Sequence, residues 1–221
     1  YNFVKYAPVA KLHHRSLTQQ LKIIQIFSFL VFTGVIISLY FVNLRVTIIC
    51  SCLGLLTLLY AIPLGHKNLR EIPLIKVFVI AFIWACTAYI LPYLEDGFQL
   101  KYFTELLNVN FFERMIWVVL LMIPFEIRDL KYDKKYLKTL VSTFGIMPVK
   151  ILALILLLLL FIHKLINLNL DALWPYTGIY LSLIAVIILA KTNQNPYFSS
   201  FYVEALPIVW MFFALINLEL L

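Results

Sequence analysis

Seven apolar runs, at 23–43, 46–63, 72–94, 111–125, 147–163, 174–190 and 201–218, constrain this chain more than any other feature. Each is close to the roughly 20 residues that an α-helix needs to cross a bilayer. The expected architecture is therefore all-α, a polytopic transmembrane helical bundle of about seven spans, with one domain covering 1–221. Apolar residues make up 63% of the sequence, well above the roughly 45–50% of a soluble domain, and a mean hydropathy of +0.96 agrees. The chain starts at Tyr1, and no basic segment with a cleavage site precedes the first run. The sequence is accordingly expected to be a fragment whose natural start lies upstream.

Charge orients the spans. Fourteen of the eighteen Lys and Arg residues fall in 1–22, 64–76, 126–150 and 191–200, while Arg45, Lys101, Arg114 and Lys164 lie between the other run ends. The heavy side is expected to be cytoplasmic. Trp174 and Tyr176 stand on the other side as interface anchors. A net charge of +7 would suit nucleic acid, but the basic residues are scattered between spans and form no single patch with aromatics. Cys50, Cys52 and Cys86 all lie inside apolar runs and read as small buried hydrophobes, with neither a disulfide framework nor a zinc site. Gly34, Gly54 and Gly178 read as points of close helix approach. Pro63, Pro73, Pro92, Pro148, Pro175 and Pro207 read as terminators or first-turn residues.

One stretch breaks the apolar pattern. Residues 126–140 read Glu-Ile-Arg-Asp-Leu-Lys-Tyr-Asp-Lys-Lys-Tyr-Leu-Lys-Thr-Leu. On a helix at about 100° per residue, Glu126, Asp129 and Asp133 fall within about 60° of one another. Lys131, Lys134, Lys135 and Lys138 fill the neighbouring sector. Asp129 and Asp133 stand at i, i+4, where like charges repel by a few tenths of a kcal/mol, so a helix shaped by stability alone would avoid the pair. Carboxylates on one face suit Mg²⁺, which is held by one or two of them together with phosphate oxygens, and the lysines would meet the remaining phosphate charge as point cations. The competing reading is an ordinary cytoplasmic loop, basic through the positive-inside rule.

The stretch resembles the second aspartate-rich motif of the UbiA superfamily of intramembrane prenyltransferases. Asp129 and Asp133 match the Asp-x-x-x-Asp core, Lys134 the following basic residue and Thr139-Leu140 the Thr-Leu tail, while Glu126 sits where many members carry a further aspartate. Upstream, Tyr60 to Lys67 looks like the family's tyrosine-bearing helix end and basic loop. The family has nine helices, with cytoplasmic motifs after the second and the sixth. The resemblance thus implies that the seven runs are helices three to nine and that the chain lacks the first two.

The resemblance further implies an enzyme that transfers a prenyl group from an isoprenoid diphosphate to an aromatic or other lipophilic acceptor within the lipid bilayer, with Mg²⁺ as cofactor and no nucleic acid as partner. Asp129, Asp133 and Lys134 would be catalytic, and Asp129, Asp133 and Glu126 would hold the metal. Lys138, Lys67, Tyr60, Arg15 and Glu204 would line the substrate site. The cell inner membrane is the expected location, with the motif loops on the cytoplasmic side.

The first motif departs from the family pattern. With Asn2 aligned on the motif's asparagine, Phe3, Tyr6 and Ala10 stand where aspartates belong. Either that motif has degenerated, or the diphosphate is held by one carboxylate cluster and basic side chains such as Lys5, Lys11 and Arg15. The second hypothesis is accordingly a non-catalytic relative with a lipid-binding or scaffolding role. A small transporter ranks third, because the charges cluster at one face and no internal repeat is present.

Overall fold

The computed structural model of the chain describes residues 19–61, 75–97, 107–133, 139–167, 170–195 and 197–219. Among them the fold is all-α, with no strand. In chain order the helices are α1 (Gln19–Phe41), α2 (Leu44–Ala61), α3 (Ile75–Glu95), α4 (Val109–Asp133), the short α5 (Leu140–Phe144), α6 (Ile146–Asn167), α7 (Leu170–Leu189) and α8 (Glu204–Glu219). α3 and α6 are each long and apolar enough to cross a membrane, by length and composition.

The hub is α4. Its 25 residues give a rod of about 37 Å, and it packs on α3, α5, α6, α7 and the turn that leads into α8. Its start is fixed by Asn108, whose Oδ1 accepts from the backbone N–H of Asn110 (3.0 Å) and Phe111 (3.3 Å) and from the Tyr89 hydroxyl (3.1 Å). A side-chain oxygen in that place satisfies helix-start donors that have no partner within the helix. The first half of α4 joins α2 and α3 in a small core around Tyr89, Ile90, Leu94 and Phe111. Its second half joins α5 to α8 in a larger one around Leu120, Ile127, Leu157, Leu183 and Val203.

Two prolines expected as terminators are carried inside continuous helix. Pro92 follows a π-helical turn at Cys86–Ile90, and Pro207 follows another at Phe198–Val203. A proline ring clashes with the carbonyl four residues earlier, here Ala88 and Val203, and both of those residues lie in the widened turns. Inserting one residue into the turn moves that carbonyl aside, which lets the chain stay helical through the proline. Two glycines also depart from expectation, since a Cβ on Gly34 or Gly54 would meet nothing within 4 Å. Among the described residues no helix approaches closely at either position.

Polar contacts gather at the two ends of the bundle. At one end Glu95 Oε2 accepts from Asn43 N (2.9 Å), and Arg45 Nη1 donates to the Gly97 carbonyl (3.5 Å). The Glu113–Lys164 ion pair lies towards this end, at 2.8 Å. At the other end lie the last turns of α4, α5, the start of α6 and the α7–α8 connection. Between the ends the outer surface is apolar, with Phe29, Leu158 and Phe212 each more than half exposed.

Candidate functional site

α4 does not stop where its apolar run stops. It continues as one helix through Pro124 and the charged stretch to Asp133, so Glu126, Asp129 and Asp133 share the regular helical spacing that the sequence implies. Pro124 has no N–H to offer, and its own carbonyl accepts from Gln194 Nε2 at 3.1 Å. The α7–α8 connection is thereby tied to the base of the acidic face.

Glu126 is buried, and its Oε2 accepts from the backbone N–H of Val141 at 3.4 Å. That N–H belongs to the first turn of α5, which the motif's Thr139-Leu140 tail opens. α5 is only five residues long and holds its shape through reciprocal capping. Thr139 Oγ1 accepts from Ser142 N (3.1 Å), Ser142 Oγ accepts from Thr139 N (2.7 Å), and Thr143 Oγ1 donates to the Thr139 carbonyl (2.7 Å). Gly145 closes the turn at φ +89°, a conformation open to glycine and costly for other residues. Replacing Thr139 by alanine is expected to cost about 1 kcal/mol, read as a lowered unfolding midpoint, with Thr139→Ser close to wild type.

Asp129 is about one-third exposed and is gripped by its sequence neighbour. Arg128 Nε donates to Oδ1 at 2.7 Å and Nη2 to Oδ2 at 3.2 Å, while Nη1 donates to the Ser199 hydroxyl at 2.7 Å. The guanidinium also lies 5.4 Å from the centre of the Phe125 ring. Nearby, Lys150 Nζ donates to the carbonyls of Ile188 (2.8 Å) and Ala190 (2.7 Å) at the end of α7.

Of the other residues singled out from sequence, Tyr60 is buried near the end of α2, and Glu204 opens α8 with its side chain exposed. Asp133 is described as the helical backbone that ends α4. Lys134, Lys138, Lys67 and Arg15 lie outside the described residues, as does all of 1–18. Among the described residues no three His, Cys, Asp or Glu side chains gather as a metal site. The structure therefore sets Glu126 against the first turn of α5, which the Thr139-Leu140 tail opens, and holds Asp129 through Arg128. It adds Arg128, Ser199 and Gln194, which spacing alone did not single out. Compared with protein-family models, curated proteins and solved structures, the chain matches none of them.

Proposed function

We propose that this chain is the greater part of a UbiA-like membrane prenyltransferase, a polytopic bundle whose seven spans correspond to helices three to nine. The observation that carries the reading is the Val141 N–Glu126 Oε2 contact. It brings the first turn of α5, 15 residues further on, against the acidic side chain that opens the motif at one end of α4. The apolar outer surface supports a bilayer setting, since large exposed apolar patches are rare on soluble proteins. The lysine and arginine bias supports a cytoplasmic placement of the motif end.

Glu126, Asp129 and Asp133 offer hard oxygen donors of the kind Mg²⁺ takes. When bound, the ion would screen the diphosphate charge and ease its departure. The chain's own contribution is to hold the head group at the end of α4 and to leave the hydrocarbon tail among apolar side chains. As the allylic carbon–oxygen bond breaks, its electron pair leaves on pyrophosphate, and Lys134 and Lys138 stabilise the charge that develops there. Lys67 and Arg15, together with Tyr60 at the end of α2, would complete the head-group site, with Glu204 at its rim. The allylic cation is captured by an electron-rich acceptor, which gives up the proton that the prenyl group replaces to the departing pyrophosphate, and the apolar bundle keeps water from reaching the cation first.

The alternative is a relative that binds the diphosphate without turning it over, a reading favoured by Phe3, Tyr6 and Ala10 at the first-motif positions. Both readings are tested with the full-length protein in nanodiscs and isotopically labelled geranylgeranyl diphosphate. Retention of the label should fall at least tenfold when Mg²⁺ is chelated and return on readdition. Release of pyrophosphate with an aromatic acceptor marks the enzyme, and retention without release marks the inactive relative. Retention indifferent both to chelation and to Asp133→Asn would sink the two together.

A further inference from the structure

Adjacent residues on a helix point about 100° apart and do not face each other, yet Arg128 holds both oxygens of Asp129. Local helix geometry does not produce such a fork. The arginine is drawn across by partners on its far side, the fully buried Ser199 hydroxyl and the Phe125 ring. Ser199 sits in the π-helical turn Phe198–Val203 that leads into α8, and Gln194 ties the same connection to Pro124.

We propose that Arg128 is a positioning residue, clamping Asp129 to Ser199 so that this acid meets the cation of a diphosphate in one fixed orientation. The last helix thereby becomes part of the head-group site. This rests on the function proposed above and adds to it a role for residues outside the aspartate spacing. An ionised carboxylate has about four acceptor positions. Arg128 takes two of them, which leaves two for a cation while the rotamer is locked. Partners that orient a ligating carboxylate in this way typically matter about 10- to 100-fold in affinity.

The test measures labelled geranylgeranyl diphosphate binding to the full-length protein across a Mg²⁺ titration, alongside the unfolding midpoint of each variant. Ser199→Ala should weaken binding about tenfold or more and raise the Mg²⁺ concentration for half-saturation, with the midpoint little changed. Ser199→Thr keeps a hydroxyl and should bind like wild type. Arg128→Lys keeps the charge but loses the fork, and should behave like Ser199→Ala. Wild-type binding by both Ser199→Ala and Arg128→Lys, with binding lost in Asp129→Asn, overturns the positioning role and leaves the proposed function standing. Wild-type binding by Asp129→Asn as well overturns both.

Discussion

Replacing Lys164 by methionine should destabilise the bundle by about 3–5 kcal/mol, the usual cost of stranding a buried charge. Its ammonium meets Glu113 Oε2 at 2.8 Å, and the side chains of both partners are almost entirely enclosed. The Tyr176 ring lies 5.2 Å from the same ammonium. Trp117, packed between Tyr180 and Trp210, donates its indole N–H to Glu113 Oε1 at 3.3 Å. Without Lys164 the carboxylate keeps only that one donor in an aromatic surround, so it must either remain as an uncompensated charge or take up a proton at a cost in free energy.

The second half of a mutant cycle isolates the cause. Glu113→Gln combined with Lys164→Met removes both charges while the amide oxygen continues to accept from Trp117. The double variant should therefore recover most of the loss. Unfolding titrated with SDS in mixed micelles gives both values. Equal instability of the single and double variants would show that packing of the lysine stem, and not the stranded carboxylate, sets the cost.

Glu126→Gln should weaken Mg²⁺-dependent diphosphate binding about 10- to 100-fold while leaving the fold almost untouched. The two effects separate because glutamine keeps an oxygen to accept from Val141 N while losing the charge and one of the two acceptor oxygens. Glu126→Ala lacks the oxygen as well and leaves a buried N–H unsatisfied, adding about 1–3 kcal/mol of instability. Binding by isothermal titration and unfolding midpoints on the same preparations distinguish the two substitutions. Full affinity in Glu126→Gln would limit this residue to capping α5.

The seven long helices are legible because each contains an apolar run, and run ends and helix ends agree within a few residues except at α4. There the run ends at Phe125 but the helix continues to Asp133, because the charged stretch keeps helical spacing. The α5 cap was hidden in ordinary-looking residues: Thr139 was noticed as part of a motif tail, while its pairing with Ser142 depends on backbone conformation. The Arg128–Ser199 contact joins positions 71 residues apart, and no local pattern encodes it. By sequence, Lys164 is a charge at a helix end. Its true partner left a faint trace in the sequence, since Glu113 is an acidic residue inside an apolar run, where an ionisable group is costly unless paired. Pro92 and Pro207 misled for a different reason. A proline specifies a missing donor and a steric clash, and a helix can answer those by widening as well as by ending.

The grip of Lys150 on the Ile188 and Ala190 carbonyls alters the electrical picture of the bundle's motif end. That ammonium offsets the negative pole of α7, so part of its charge is balanced within the bundle. A diphosphate reaching the head-group site proposed above would therefore meet less positive potential than a tally of basic residues suggests.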